Sequence, residues 1–118
     1  MEVVLDTSAV IEVLEGTSRG RRLVELVTGK PFATTVFTLF EVRRKEKSLD
    51  FVKSMRILPF DEASAQLAAS LGKKLEEEGN QMPEVDLFIA CIALTRGAAL
   101  ATTDKAFGKL KKLALLDF

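Results

Sequence analysis

The sequence predicts an α/β fold in which a central parallel sheet of four to five strands is covered by helices on both faces, giving three α/β/α layers. Short apolar runs that suit buried parallel strands alternate, from end to end, with segments of helical spacing. At 118 residues, 47% hydrophobic and 29% charged, the chain is expected to be a single domain over 1–118, long enough for one core and too short for a second.

Val3 to Leu5 is an apolar run of the kind found in a central strand buried on both faces. After Asp6, Val10, Ile11, Val13 and Leu14 interleave with Glu12 and Glu15 at helical spacing, and Gly16 stops the pattern. Ser18 to Val27 repeats it, with Leu23, Leu26 and Val27 inward and Arg19, Arg21, Arg22 and Glu25 outward, until Gly29 and Pro31 break the chain. FATTV reads as a second strand. A helix follows to Arg44, in which Phe37 and Phe40 read as core. Ser48 to Met55 reads as a short helix and RILPF as a third strand, closed by Asp61 as an N-cap. Glu62 to Glu78 is a long amphipathic helix with Ala65, Leu67, Ala68, Leu71 and Leu75 near one face. Pro83 opens a helix whose stretch LFIACIAL is apolar nearly all round and is therefore expected to be buried. Gly97 ends it, AALAT reads as a fourth strand, and Asp104 leads into a basic helix with Lys105, Lys109, Lys111 and Lys112. LALLDF supplies a short last strand.

The 17 basic and 17 acidic side chains cancel, so any nucleic-acid binding must come from local patches rather than a global field. One cysteine, Cys91, cannot form an intrachain disulfide and reads as a small buried hydrophobe. With Glu2 near the start and no apolar run of membrane-spanning length, the expected location is the cytoplasm. The absence of His removes the commonest general base and metal ligand, which leaves carboxylates, hydroxyls, Lys, Arg or Cys to do any chemistry.

The stretch VVLDTSAV puts Asp-Thr-Ser directly after a strand. An aspartic protease has a similar loop, but that fold is almost wholly β-structure, and here a helical pattern starts within a few residues. An adhesion site of the Asp-x-Ser-x-Ser kind would need Ser where Val10 stands, and a phospho-acceptor receiver domain would need an acidic pair after the first strand. Three other carboxylates share the oddity of Asp6: Glu41 in the apolar VFTLFEV, Asp86 at the start of the buried helix, and Asp104 at the end of the fourth strand. Strand ends and the starts of the following helices share one edge of such a sheet, so these groups are expected to meet there. Two carboxylates about 5 Å apart at an effective dielectric near 20 repel by roughly 3 kcal/mol, so a positive partner is needed. Oxygen donors without His select a hard cation, Mg²⁺ or Mn²⁺.

Taken in order, VVLDTSA, the Glu of TLFEV, VDLFIACIAL and ATTDKAF resemble the PIN-domain family, and especially the small VapC-type toxins of prokaryotic toxin–antitoxin pairs, over essentially the whole chain. The resemblance implies a metal-dependent ribonuclease that hydrolyses RNA phosphodiester bonds, usually dimeric and held inactive by a small VapB-type antitoxin. Asp6, Glu41, Asp86 and Asp104 match the family's acidic quartet, expected to be both catalytic and metal-binding; Ser8 and Thr102 match its accompanying hydroxyl residues. The region between Glu41 and Ile57 is shorter than the helical pair such toxins commonly carry, which bears on RNA choice and antitoxin fit. Candidate RNA contacts are Arg43, Arg44, Lys45 and Lys105, beside the alternative that these charges are a solvated face.

Singly, Asp6 and Asp104 also suit helix N-caps, Asp86 a first-turn acid facing the helix dipole, and Glu41 a partner for Arg44 or Lys45. Those uses do not explain the four flanking motifs or their order. The other functional classes that the sequence allows are a non-catalytic PIN-like module that binds RNA or protein, and an RNA-processing nuclease without an antitoxin.

Overall fold

The computed structural model describes residues 1–118. Five parallel strands form one sheet: β1 (Val3–Leu5), β2 (Phe32–Thr35), β3 (Arg56–Leu58), β4 (Ala99–Ala101) and β5 (Leu115–Leu116), in the order β3-β2-β1-β4-β5. Helices α1 (Thr7–Leu14), α2 (Ser18–Val27), α3 (Val36–Arg44) and α4 (Asp50–Ser54) lie in the connections from β1 to β3, while α5 (Glu62–Glu77) and α6 (Glu84–Thr95) connect β3 to β4. The strand order reverses beside β1, so β1 and β4 flank the switch point where open α/β sheets part their connections and leave a crevice.

The alternation of side chains along the strands divides the core in two. Val3 and Leu5 of β1 pack with Ala9, Val10, Leu23, Val42 and Val52 of the first four helices. Val4 points the other way and packs with Ala33, Leu58, Leu100 and the α6 residues Ile89, Ala90 and Ile92. Both faces are therefore covered, and β1 is buried throughout, as its unbroken apolar run requires. Cys91 belongs to the same core, and burial pushes its thiol up to about 11, which keeps it protonated.

Four local expectations are corrected. The FATTV strand stops at Thr35, whose hydroxyl accepts from the Thr38 amide and caps α3, so Val36 is already helical. RILPF pairs only over Arg56–Leu58, since Pro59 has no amide to add to a ladder. The basic helix after Asp104 is a 3₁₀ segment, Lys105–Lys109, and Lys111 and Lys112 lie beyond it in a turn; only Phe107 of that segment is buried, too little apolar face to dock a longer helix. Phe37 joins the core edge through edge and tilted contacts with Phe60 and Phe88, but Phe40 is 59% exposed, with the Arg44 guanidinium 6.0 Å from its ring centre.

The end of α3 sets up one wall of the site. Glu46 takes φ 58, the one residue other than glycine in the left-handed region, while its amide donates to Arg43 O at 3.0 Å and the Lys47 amide to Val42 O at 3.2 Å. This paired closure stops the helix at Lys45.

Candidate active site

Asp6 sits at the carboxyl end of β1, where its amide donates to Ala101 O at 3.1 Å and so ties β1 to the end of β4. It is 4% exposed. Oδ1 accepts from the Ala9 amide at 2.9 Å, capping α1, and from Ser8 Oγ at 2.7 Å; Oδ2 accepts from Thr102 Oγ1 at 2.5 Å. Three donors against about four lone-pair positions leave Oδ2 with room for one more partner. Burial raises the Asp6 pKa, opposed by the hydrogen bonds from Thr102, Ala9 and Ser8, and Asp104 adds to the rise.

Ser8 and Thr102 each donate to Asp6 and also accept from the turn after β4. Ser8 Oγ accepts from the Thr103 amide at 2.9 Å, and Thr102 Oγ1 accepts from the Asp104 amide at 3.0 Å. The turn after β4 is thus pinned to the first turn of α1 through Asp6 and these two hydroxyls. Asp104 caps the 3₁₀ segment, its Oδ1 accepting from the Ala106 amide at 2.9 Å. Asp6 and Asp104 therefore each serve as N-caps while lining the cleft, so capping and site-building are not rival uses of these residues.

Asp86 stands in the first turn of α6, half-buried. Its carboxyl is pushed up to about 6, first by burial, then by the negative charges of Asp104, Asp6 and Glu41. The four acids thus share one electrostatic neighbourhood. Glu41 reaches in from α3, its Oε1 accepting from Thr7 Oγ1 at 2.6 Å.

All four acids line one cleft of about 390 Å³, together with Thr7, Ser8, Ile11, Glu12, Lys45, Ile89 and Thr103. Of the basic residues singled out in the sequence, Lys45 lines the cleft; Arg43, Arg44 and Lys105 do not. Sequence reasoning missed Thr7 and Glu12. Thr7 was legible as a second hydroxyl in the Asp-Thr-Ser stretch, whereas Glu12 looks like any polar position of an amphipathic helix. A larger groove, about 460 Å³, lies between α5 and α6 and is mainly apolar, with Phe60, Met82, Leu87 and Phe88 in its walls, and none of the four acids lines it.

The carboxylates share the cleft without closing into a cage: no three acidic or thiol side chains are arranged to hold an ion by themselves. The donor set nevertheless fits Mg²⁺ or Mn²⁺. Every donor is a hard oxygen, and Mg²⁺ binds through one or two carboxylates while keeping several waters.

The family profile described as PIN domain matches residues 3–113. The chain is 33% identical over 127 aligned positions to ribonuclease VapC5 of Mycobacterium tuberculosis, covering 97% of this chain and 91% of that protein. It is 34% identical over 92 positions to ribonuclease VapC3 of Methanocaldococcus jannaschii, covering 78% of this chain and 98% of the relative. Among solved structures, VapBC2 from Rickettsia felis, bound to a DNA fragment from their promoter, superposes with a TM-score of 0.86 at 22% identity over 100% of this chain and 99% of that one, which shows a shared fold. VapBC-5 from Mycobacterium tuberculosis, of the VapBC family of toxin–antitoxin systems, superposes with a TM-score of 0.75 at 29% identity over 99% and 98%. With nearly its whole length matched by the profile and by a relative of this similarity, the chain belongs to the PIN-domain family.

Proposed function

We propose that this protein is a ribonuclease that hydrolyses RNA phosphodiester bonds with the help of Mg²⁺ or Mn²⁺, and that it is the toxin of a toxin–antitoxin pair. The observation that carries this is the meeting of Asp6, Glu41, Asp86 and Asp104 in one cleft at the switch point of the sheet. The ribonuclease names of the relatives support the activity, and the VapBC complexes among the structural neighbours support a small VapB-type antitoxin as partner. A homodimer is part of the same proposal, since closed two-fold pairs are the commonest assembly of such chains.

In this reading Asp6, Asp86 and Asp104 are the residues that hold the ion, directly or through water, and Glu41 completes that set or orients the attacking water. A bound divalent ion would lower the pKa of a coordinated water and neutralise charge on the phosphate undergoing in-line displacement. Ser8 and Thr102 keep the Asp6 carboxylate from rotating, and Lys45 offers the cleft its basic group for a substrate phosphate. A contact of Lys105 with RNA would extend outside the cleft, which Arg43 and Arg44 do not line. No helix of the chain is long and apolar enough to cross a membrane.

The test is cleavage of a panel of structured and single-stranded RNAs by antitoxin-free protein with Mg²⁺, with Mn²⁺ and with EDTA. Cutting is expected with either metal, none with EDTA, and none by a folded Asp86→Asn variant. Normal cutting by that variant would show that the acidic cleft is not the active site.

A further inference from the structure

We infer that Thr7 is a positioning residue, whose hydroxyl holds Glu41 inside the cleft and away from Lys45. The inference deepens the reading above and rests on it for the use to which Glu41 is put. Glu41 of α3 and Lys45, the C-cap of that helix, lie four residues apart with Glu on the amino-terminal side, the arrangement in which such pairs form most readily on a helix surface. Here they do not pair: the ion pairs of the molecule are Lys47 with Glu15 at 3.8 Å and Arg96 with Glu2 at 2.8 Å. Glu41 Oε1 instead takes the hydroxyl of Thr7 at 2.6 Å, a bond between the first residue of α1 and the middle of α3.

Thr7 is itself held in place. Its Oγ1 lies 3.2 Å from Oγ1 of the fully buried Thr38, whose own amide is fixed by the Thr35 hydroxyl at 3.3 Å. Thr7 has one proton to give, and the shorter contact, to the Glu41 carboxyl oxygen, takes it. The bond engages one oxygen of Glu41 and leaves the other for an ion or a water. It also leaves the Lys45 ammonium available to a phosphate. Thr7 has no part in capping α1, a task that falls to Asp6, so removing its hydroxyl tests the contact with Glu41 and not the helix start. Without that hydroxyl, Glu41 is free to swing to Lys45, and the cleft loses both a donor for metal and a cation for RNA.

The experiment is Mn²⁺ titration by calorimetry on the wild type, Thr7→Val, Thr7→Ser, Glu41→Gln and the Thr7→Val/Glu41→Gln double variant, each also assayed for RNA cleavage and for melting without metal. Thr7→Val keeps the branched shape and should weaken Mn²⁺ binding roughly tenfold, while Thr7→Ser stays within about twofold of wild type and Thr7→Val adds nothing to Glu41→Gln. Wild-type affinity in Thr7→Val would overturn the inference, as would an equal loss in the two backgrounds. If the binding pattern holds but the wild type cuts no RNA, the nuclease reading fails and the positioning role stands. A wild type that binds no Mn²⁺ would overturn both.

Discussion

A carboxylate that is half out of water and faces three other acids gains by taking up a proton, and Asp86 is so placed. Its folded pKa of about 6 lies above the ordinary 3.8, so the folded state binds this proton more tightly than the unfolded one. The group's contribution to stability is therefore full below the ordinary value and is lost as pH rises through about 6. Asp6, raised by its burial, acts in the same direction. Metal-free protein is thus expected to melt higher near about pH 5 than near about pH 7.5 so far as these groups decide it. At the higher pH, Asp86→Asn should melt above the wild type, and much of the pH dependence should go with the charge. Mg²⁺ should raise the wild-type midpoint more at the higher pH and raise that of Asp86→Asn little. Calorimetric melts with EDTA and with Mg²⁺ check each point; a wild type that loses stability steadily below neutral pH would contradict this account of the cleft.

The helices that carry the acids are positioned by close backbone approach as much as by apolar burial. A Cβ added to Gly20 of α2 would come 2.1 Å from the backbone oxygen of Glu12 in α1, a contact that no side-chain movement can relieve. Gly20→Ala should therefore destabilise the fold by about 2 kcal/mol through forced separation of the two helices, although alanine suits a helix better. A shift of the urea midpoint with unchanged slope would show it, and a neutral outcome would mean that α1 and α2 are looser than they look. Such crossings explain why the sequence was legible in part. Val3–Leu5 and LFIACIAL announce their burial by composition, and the positions of Asp6, Asp86 and Asp104 beside strand ends and helix starts follow from α/β topology. Other features were out of reach because they depend on partners far along the chain. The strand order needs pairing between β1 and β4, which are separated by most of the sequence. Phe40 has the spacing of a core residue, and only the placement of α3 against its neighbours shows that its ring faces outward. The contact of Thr7 with Glu41 spans 34 residues and is set by the packing of α1 on α3. Lys45 enters the cleft because α3 ends there, at a Glu46 whose left-handed backbone no sequence rule anticipates.

At the scale of the whole molecule, equal numbers of acidic and basic side chains leave no long-range field to draw RNA in, and the cleft itself carries acids with Lys45 as its basic lining residue. On the proposed function, RNA would then be held mainly by a bound divalent ion and a few local contacts, which has a measurable signature. Each phosphate neutralised by Lys or Arg on a single strand contributes about −0.7 to the slope of log affinity against log salt, so contacts by Lys45 and Lys105 alone give a slope of about −1.4. Anisotropy titrations of Asp86→Asn, which should bind a single-stranded oligonucleotide without cutting it, should yield a slope this shallow, and adding Lys45→Ala should reduce its magnitude by about 0.7. Affinity of the wild type for a cleavage-resistant oligonucleotide should also fall when Mg²⁺ is replaced by EDTA at constant ionic strength. A slope several times steeper would mean that RNA spreads over Arg43, Arg44 and the outward arginines of α2, and that those charges, rather than the cleft, set affinity. The shallow slope instead leaves recognition to the groups around the acids, where a change of one hydroxyl or one lysine alters metal and phosphate binding together.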